Sequence, residues 1–177
     1  RALSPRAIRD MPLPRLARLV RPSGYFRLKA RKLKALVSWY LDEHGGRIES
    51  LRRAEPRAAR ESLLRVWGVG PETADSILCY AAGRNSFVVD LYTRRVLSRH
   101  GILPMDAGYE EVRAWFEERL QPRNRVYNEL HAQLVAAGNR YCKPAPRCED
   151  CPLKPMLPPG GPITRPTRGR PRAAARA

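Results

Sequence analysis

No stretch of this chain approaches the roughly 18 to 20 uninterrupted apolar residues that a bilayer helix needs, so no membrane span is expected. Nor does any window sustain the period-two alternation of a half-buried strand. Phe87-Val88-Val89 is apolar but too short to count. The first residues, Arg1-Ala2-Leu3-Ser4-Pro5, lack a Met and the charged-then-apolar layout of a secretory signal, and read as the start of a fragment. Cysteine is scarce. There are four among 177 residues, and three of them crowd into Cys142, Cys148 and Cys151. That is not a secreted disulfide framework, and it predicts a metal site in a reducing cytosol. Acidic residues are the other shortage: 17 Asp and Glu stand against 34 Lys and Arg, a formal net charge of +17. A surplus of that size points to a polyanionic partner, nucleic acid first, against the blander reading of a solvated basic surface.

What is present is helical patterning. Residues 4–20 predict two short helices broken at Pro12 and Pro14, followed by a turn at Arg21-Pro22-Ser23-Gly24. From Tyr25 to His44 apolar residues recur at three and four, while Arg27, Lys29, Arg31, Lys32 and Lys34 fill the other face. Gly45-Gly46 should end that helix. Further helices are predicted over 48–53, 56–67, 71–82, 91–100, 109–120 and 127–137, the last stopped by Gly138. The spacing of Tyr25, Trp39 and Tyr40 predicts core packing for these aromatics. The fold class is all-α. Three segments are expected: a helical lobe over 1–85, a second over 86–157, and a basic disordered tail over 158–177.

The most informative run is Trp67-Gly68-Val69-Gly70-Pro71-Glu72-Thr73-Ala74. Gly68 and Gly70 permit positive φ, so the chain can reverse within a few residues. Val69 can plug into the core, and Pro71 suits the first position of a new helix. Without Cβ atoms in the way, glycine amides and the helix start can hold a phosphate. The competing reading is a tight structural turn. Asp90 follows by a short loop, after three apolar residues and before a helix. It is either a plain helix cap or a partly desolvated carboxylate beside a phosphate-binding hairpin.

The run from Leu64 to Val96 resembles the helix-hairpin-helix DNA glycosylases, in particular the endonuclease III branch. Gly68-Val69-Gly70-Pro71-Glu72-Thr73-Ala74 is similar to that family's hairpin, and Val88-Val89-Asp90 to its catalytic-aspartate segment. Asn128-Glu129-Leu130-His131 and the cysteine cluster also match, up to about Leu157. The resemblance implies a two-lobed fold with double-stranded DNA lying across the cleft, a damaged base as target, and Asp90 at the cleft floor. Gly68, Val69, Gly70, Thr73, Lys143 and Arg147 would meet DNA. It further implies a monomeric, cytoplasmic, nucleoid-associated base-excision-repair enzyme. One departure concerns mechanism. The bifunctional members carry a Lys where this chain has Glu72, and a carboxylate cannot form the imine of a lyase. The hairpin also resembles the monofunctional bacterial 3-methyladenine glycosylases. Glu72 is therefore read either as a proton donor near the leaving base or as a complement to the helix N-terminus. The alternative to an active glycosylase is a weak or inactive DNA-binding paralogue.

Cys142-x5-Cys148-x2-Cys151 has short-range ligand spacing that suits zinc or an iron–sulfur cluster. The resemblance implies a [4Fe–4S] cluster whose fourth thiolate would fall at Leu157, which offers none. His131 is an outside candidate for that place. Cys79 reads as a small buried hydrophobe.

Overall fold

A computed structural model describes residues 4–164, which fold into two compact units, one ending at Arg84 and the other starting at Asn85. Among the described residues there are nine α-helices. In the first unit these are α1 (Pro5–Asp10), α2 (Leu13–Leu19), α3 (Phe26–His44), α4 (Ile48–Arg53), α5 (Pro56–Arg65) and α6 (Pro71–Ser76). The second holds α7 (Leu91–Arg99), α8 (Tyr109–Glu117) and α9 (Asn124–Arg140).

Helix α3 organises the first unit. Its start packs on α1 and α2 through Ala30 against Met11, Leu16 and Ala17, with Ile8, Phe26 and Leu33 at the margin. Its far half carries Trp39 into a second cluster with Leu51, Leu63, Val66, Ala74 and Leu78. Trp39 Nε1 donates to Ser62 Oγ (2.7 Å), and Ser62 in turn donates to Glu43, so the buried indole N–H is satisfied. Gly45 adopts the left-handed conformation that ends the helix, as the glycine pair predicts. α5 begins at Pro56, with Glu55 accepting from the Arg57 and Ala58 amides. Arg60 of α5 grips Asp75 of α6 with two bonds, Nε–Oδ1 2.8 Å and Nη2–Oδ2 3.0 Å, and the Asp75 side chain is fully buried. This clamp ties the two helices on either side of the Gly68–Gly70 turn. The helix expected to run on to Ala82 instead widens into a π-helical turn, Ile77–Ala81, directly after α6. Cys79 is buried there.

Phe87-Val88-Val89, too short to read as a strand, lies in the core of the second unit. All three are almost completely buried. The Phe87 ring stacks on Phe116 (4.0 Å) and meets Tyr127 edge-on (5.7 Å). Its amide donates to Glu117 Oε1 (3.0 Å), and the Val89 amide to the Tyr109 hydroxyl (3.4 Å), so no sheet is needed to satisfy this extended backbone.

One expectation is corrected. Gly138 does not end α9, which runs three residues earlier and three later than its predicted span, 127–137. The glycine is there because a Cβ would stand 2.6 Å from Tyr92 Cβ and Cδ1, where α7 crosses α9. The tail expected from 158 is described as far as Thr164. In that part the Ile163 amide donates to the Arg99 carbonyl (3.0 Å), and residues 165–177 lie outside the described residues.

Candidate functional site

In the hairpin, only Gly68 uses its conformational freedom, with φ +83°. Gly70 is extended at φ −101°, and a Cβ built there would meet nothing within 4 Å. No strain or contact inside the protein therefore demands glycine at position 70; the space before it is open. Gly70 is also the N-cap of α6 and brings no capping side chain to that first turn. Val69 packs on the second core cluster as expected. Glu72 and Thr73 are exposed on the first turn of α6, where a carboxylate complements the helix dipole. Trp67, immediately before the hairpin, is 55% exposed.

Tyr25 corrects the sequence reading. Trp39 and Tyr40 do pack in the core, but Tyr25 is 85% exposed. It is also the only non-glycine among the described residues with positive φ, at 43°. A bulky residue in the left-handed region is costly and is more usual at functional positions than in scaffolding. No periodicity argument could expose it, because it precedes the first helical residue.

Asp90 caps α7. Its Oδ1 accepts from the Thr93 amide at 2.7 Å, so the capping reading holds as far as that oxygen goes. Oδ2 lies 3.9 Å from His131 Nε2. His131 comes from α9, is buried, and faces the edge of Phe87 (6.4 Å). Burial holds its imidazole below the ordinary histidine range, and the Asp90 carboxylate only partly offsets this. At pH 7 the ring is therefore neutral and places no positive charge of its own beside Asp90. His131 is engaged here and is no ligand of the cysteine cavity, against its expected candidacy.

That depressed pKa has a stability consequence. The unfolded chain binds a proton at His131 more readily than the folded one. The contribution of the neutral ring is complete above about pH 6.5 and is lost as pH falls below it. Thermal melts should show the second unit losing stability between pH 7 and pH 5, and His131→Asn should flatten that limb. An unchanged pH dependence in the variant would remove His131 as its source.

Cys142, Cys148 and Cys151 line one cavity with Arg99, His100, Tyr141 and Leu157. Burial first, then the neighbouring Cys151 and Cys142, raise the Cys148 thiol above its usual range. Arg99, itself buried, organises the loop by donating to Cys142 Sγ (3.2 Å) and to the carbonyls of Lys143 (2.6 Å) and Pro144 (2.8 Å). Arg95 adds a bond to the Cys142 carbonyl (2.9 Å). Three thiols around one cavity suit a thiolate-bound metal group. Among the described residues, however, no set of three or more Cys, His, Asp or Glu converges as a site for a metal ion, and Leu157 offers no donor. Three thiols thus line the cavity without converging, and no fourth joins them. Lys143 and Arg147 are exposed on this loop, whereas Lys154 is paired with Glu149 at 2.7 Å.

Comparison with known proteins gives these sites a context. The chain is 39% identical over 141 residues to a candidate DNA repair glycosylase of Methanocaldococcus jannaschii, covering 79% of this chain and 64% of that one. A solved non-covalent complex of endonuclease III with DNA matches with TM-score 0.72 and 26% identity, over 88% of this chain and 68% of that one. The Helicobacter pylori 3-methyladenine DNA glycosylase bound to 1,N6-ethenoadenine matches with TM-score 0.64 and 28% identity, over 77% and 67% of the two chains. The chain spans about three fifths of the length of the curated relatives it matches. Residues 1–122 match the model of the HhH-GPD superfamily base excision DNA repair protein. The chain belongs to the HhH-GPD superfamily of base excision DNA repair proteins.

Proposed function

We propose that this protein is a monofunctional DNA glycosylase of the endonuclease III type, which hydrolyses the N-glycosidic bond of a damaged base in double-stranded DNA. The observation that carries the reading is the open space at Gly70. A glycine that the fold itself does not require leaves the backbone unscreened by a side chain, and a phosphodiester is the ligand such a turn suits. The +17 charge supplies the long-range attraction, and exposed Thr73, Lys143 and Arg147 add polar and cationic contacts. Tyr25 presents an aromatic face to bases that must leave the stack before any chemistry on them.

Asp90 does the chemistry in this account. With Oδ1 tied to the Thr93 amide, Oδ2 is the oxygen left to act. It stabilises positive charge building on the sugar and orients or deprotonates the attacking water. A neutral His131 keeps that carboxylate from being neutralised in advance. Glu72 has no amine to attack the sugar, so no Schiff base forms. Cys142, Cys148 and Cys151 would hold an iron–sulfur cluster of the [4Fe–4S] type through three thiolates. When bound, such a group acts as a staple across the loop after α9.

The test is incubation with duplexes carrying a panel of damaged bases. Release of free base, strand breaks only after alkali, and no borohydride-trapped adduct are expected. Tight binding without base release identifies the inactive DNA-binding paralogue instead, and a trapped adduct in good yield overturns the monofunctional assignment. For the loop, Cys148→Ser should lower both bound iron and the melting temperature, while Leu157→Cys should raise iron retention. A metal-free protein that melts identically in both variants would remove the cluster.

A further inference from the structure

The basic face of α3 carries three lysines that differ in what they touch. Lys29 donates its ammonium to the Ser23 carbonyl, and Lys34 donates to the Arg9 carbonyl at 2.7 Å. Both charges are thus engaged on the protein's own backbone. Lys32 makes no such bond among the described residues. Its stem lies along the hairpin instead. A Cβ built on Gly68 would stand 2.5 Å from Lys32 Cγ, 3.0 Å from Cδ and 3.1 Å from Cε. The three methylenes are packed against the bare α-carbon of the turn, which holds the side chain along the hairpin. A long cation usually pays in rotamer freedom when it binds an anion. Here the packing against Gly68 has already removed much of that freedom.

We infer that Lys32 and the Gly68 turn form one composite phosphodiester clamp, in which the hairpin backbone and the Lys32 ammonium take the same DNA phosphate. This rests on the proposed DNA-binding function and adds a contact from a different helix to it. Glycine at position 68 is needed twice over, for its positive φ and for the passage of the Lys32 stem.

The distinguishing signature is electrostatic. Binding of the full chain to duplex DNA should fall with salt at a log–log slope of about −4 to −5, the value for some five neutralised phosphates. Lys32→Met keeps the packed stem and removes the charge. It should bind more weakly at low salt, with a slope shallower by about 0.9. Its deficit should therefore shrink about 3.5-fold between 50 and 200 mM salt. Lys32→Arg should restore the slope, and circular dichroism melts of both should match the parent. If Lys32→Met folds poorly, Lys32→Gln serves in its place. Weaker binding at an unchanged slope would reduce Lys32 to a packing role and overturn the inference while leaving the DNA-binding reading standing. A parent chain whose affinity is weak and insensitive to salt would overturn both.

Discussion

Asp90→Asn should lower base excision by about a hundred- to a thousand-fold, the usual effect of deleting one preorganised electrostatic group at a reacting centre. DNA affinity should remain. The substitution is nearly isosteric, and an amide oxygen can still accept from the Thr93 amide across the present 2.7 Å, so α7 stays capped. What changes is Oδ2. It becomes a neutral amide nitrogen facing His131, and the carboxylate charge is gone. Single-turnover excision measured beside an equilibrium binding curve separates the two effects. Equal excision by variant and parent would leave Asp90 as a helix cap and nothing more.

Asp75→Ala should cost the first unit about 3–5 kcal/mol, because it leaves Arg60 without the buried carboxylate it grips. At the scale expected for a chain of this size, that amounts to a fall of roughly 6–20 °C in melting temperature. The Arg60 side chain is only 16% exposed, so water replaces the lost partner poorly. The clamp joins α5 to α6 across the hairpin, so DNA binding should weaken in step with stability. Replacing both residues by apolar ones, Arg60→Met with Asp75→Leu, should recover much of the loss by removing the stranded charge along with its partner. A melt of Asp75→Ala within a degree or two of the parent would contradict this account.

The helical pattern is written plainly in the sequence where an element has one apolar face. α3 and α7 begin and end close to where periodicity and glycine place them. Legibility fails where a residue answers to a neighbour distant in sequence. Gly138 looks like a helix stop but is a notch for Tyr92. Nothing in its local sequence singles out Arg99, yet it is the hub of the cysteine loop. Gly68 and Gly70 look equivalent, but the fold uses positive φ at only the first. For the site, Asp90 and the hairpin stand out through local chemistry. Their partners do not: His131 is separated from Asp90 by 41 positions, and Lys32 from Gly68 by 36. No local rule links such pairs.

The three tryptophans occupy three different environments, and this gives the protein its own optical reporters. Trp39 is buried with the His44 ring edge-on at 4.8 Å. Trp115 is partly covered, with Arg119 over its ring at 5.0 Å. Trp67 is the exposed one, on the residue before Gly68. Emission from Trp39 should follow unfolding of the first unit and ignore ligands, whereas emission from Trp67 should shift or quench as soon as anything docks at the hairpin. In a Trp115→Phe background, red-edge excitation would select the solvent-exposed indole, and fluorescence from a single unlabelled sample would follow docking and unfolding as separate signals.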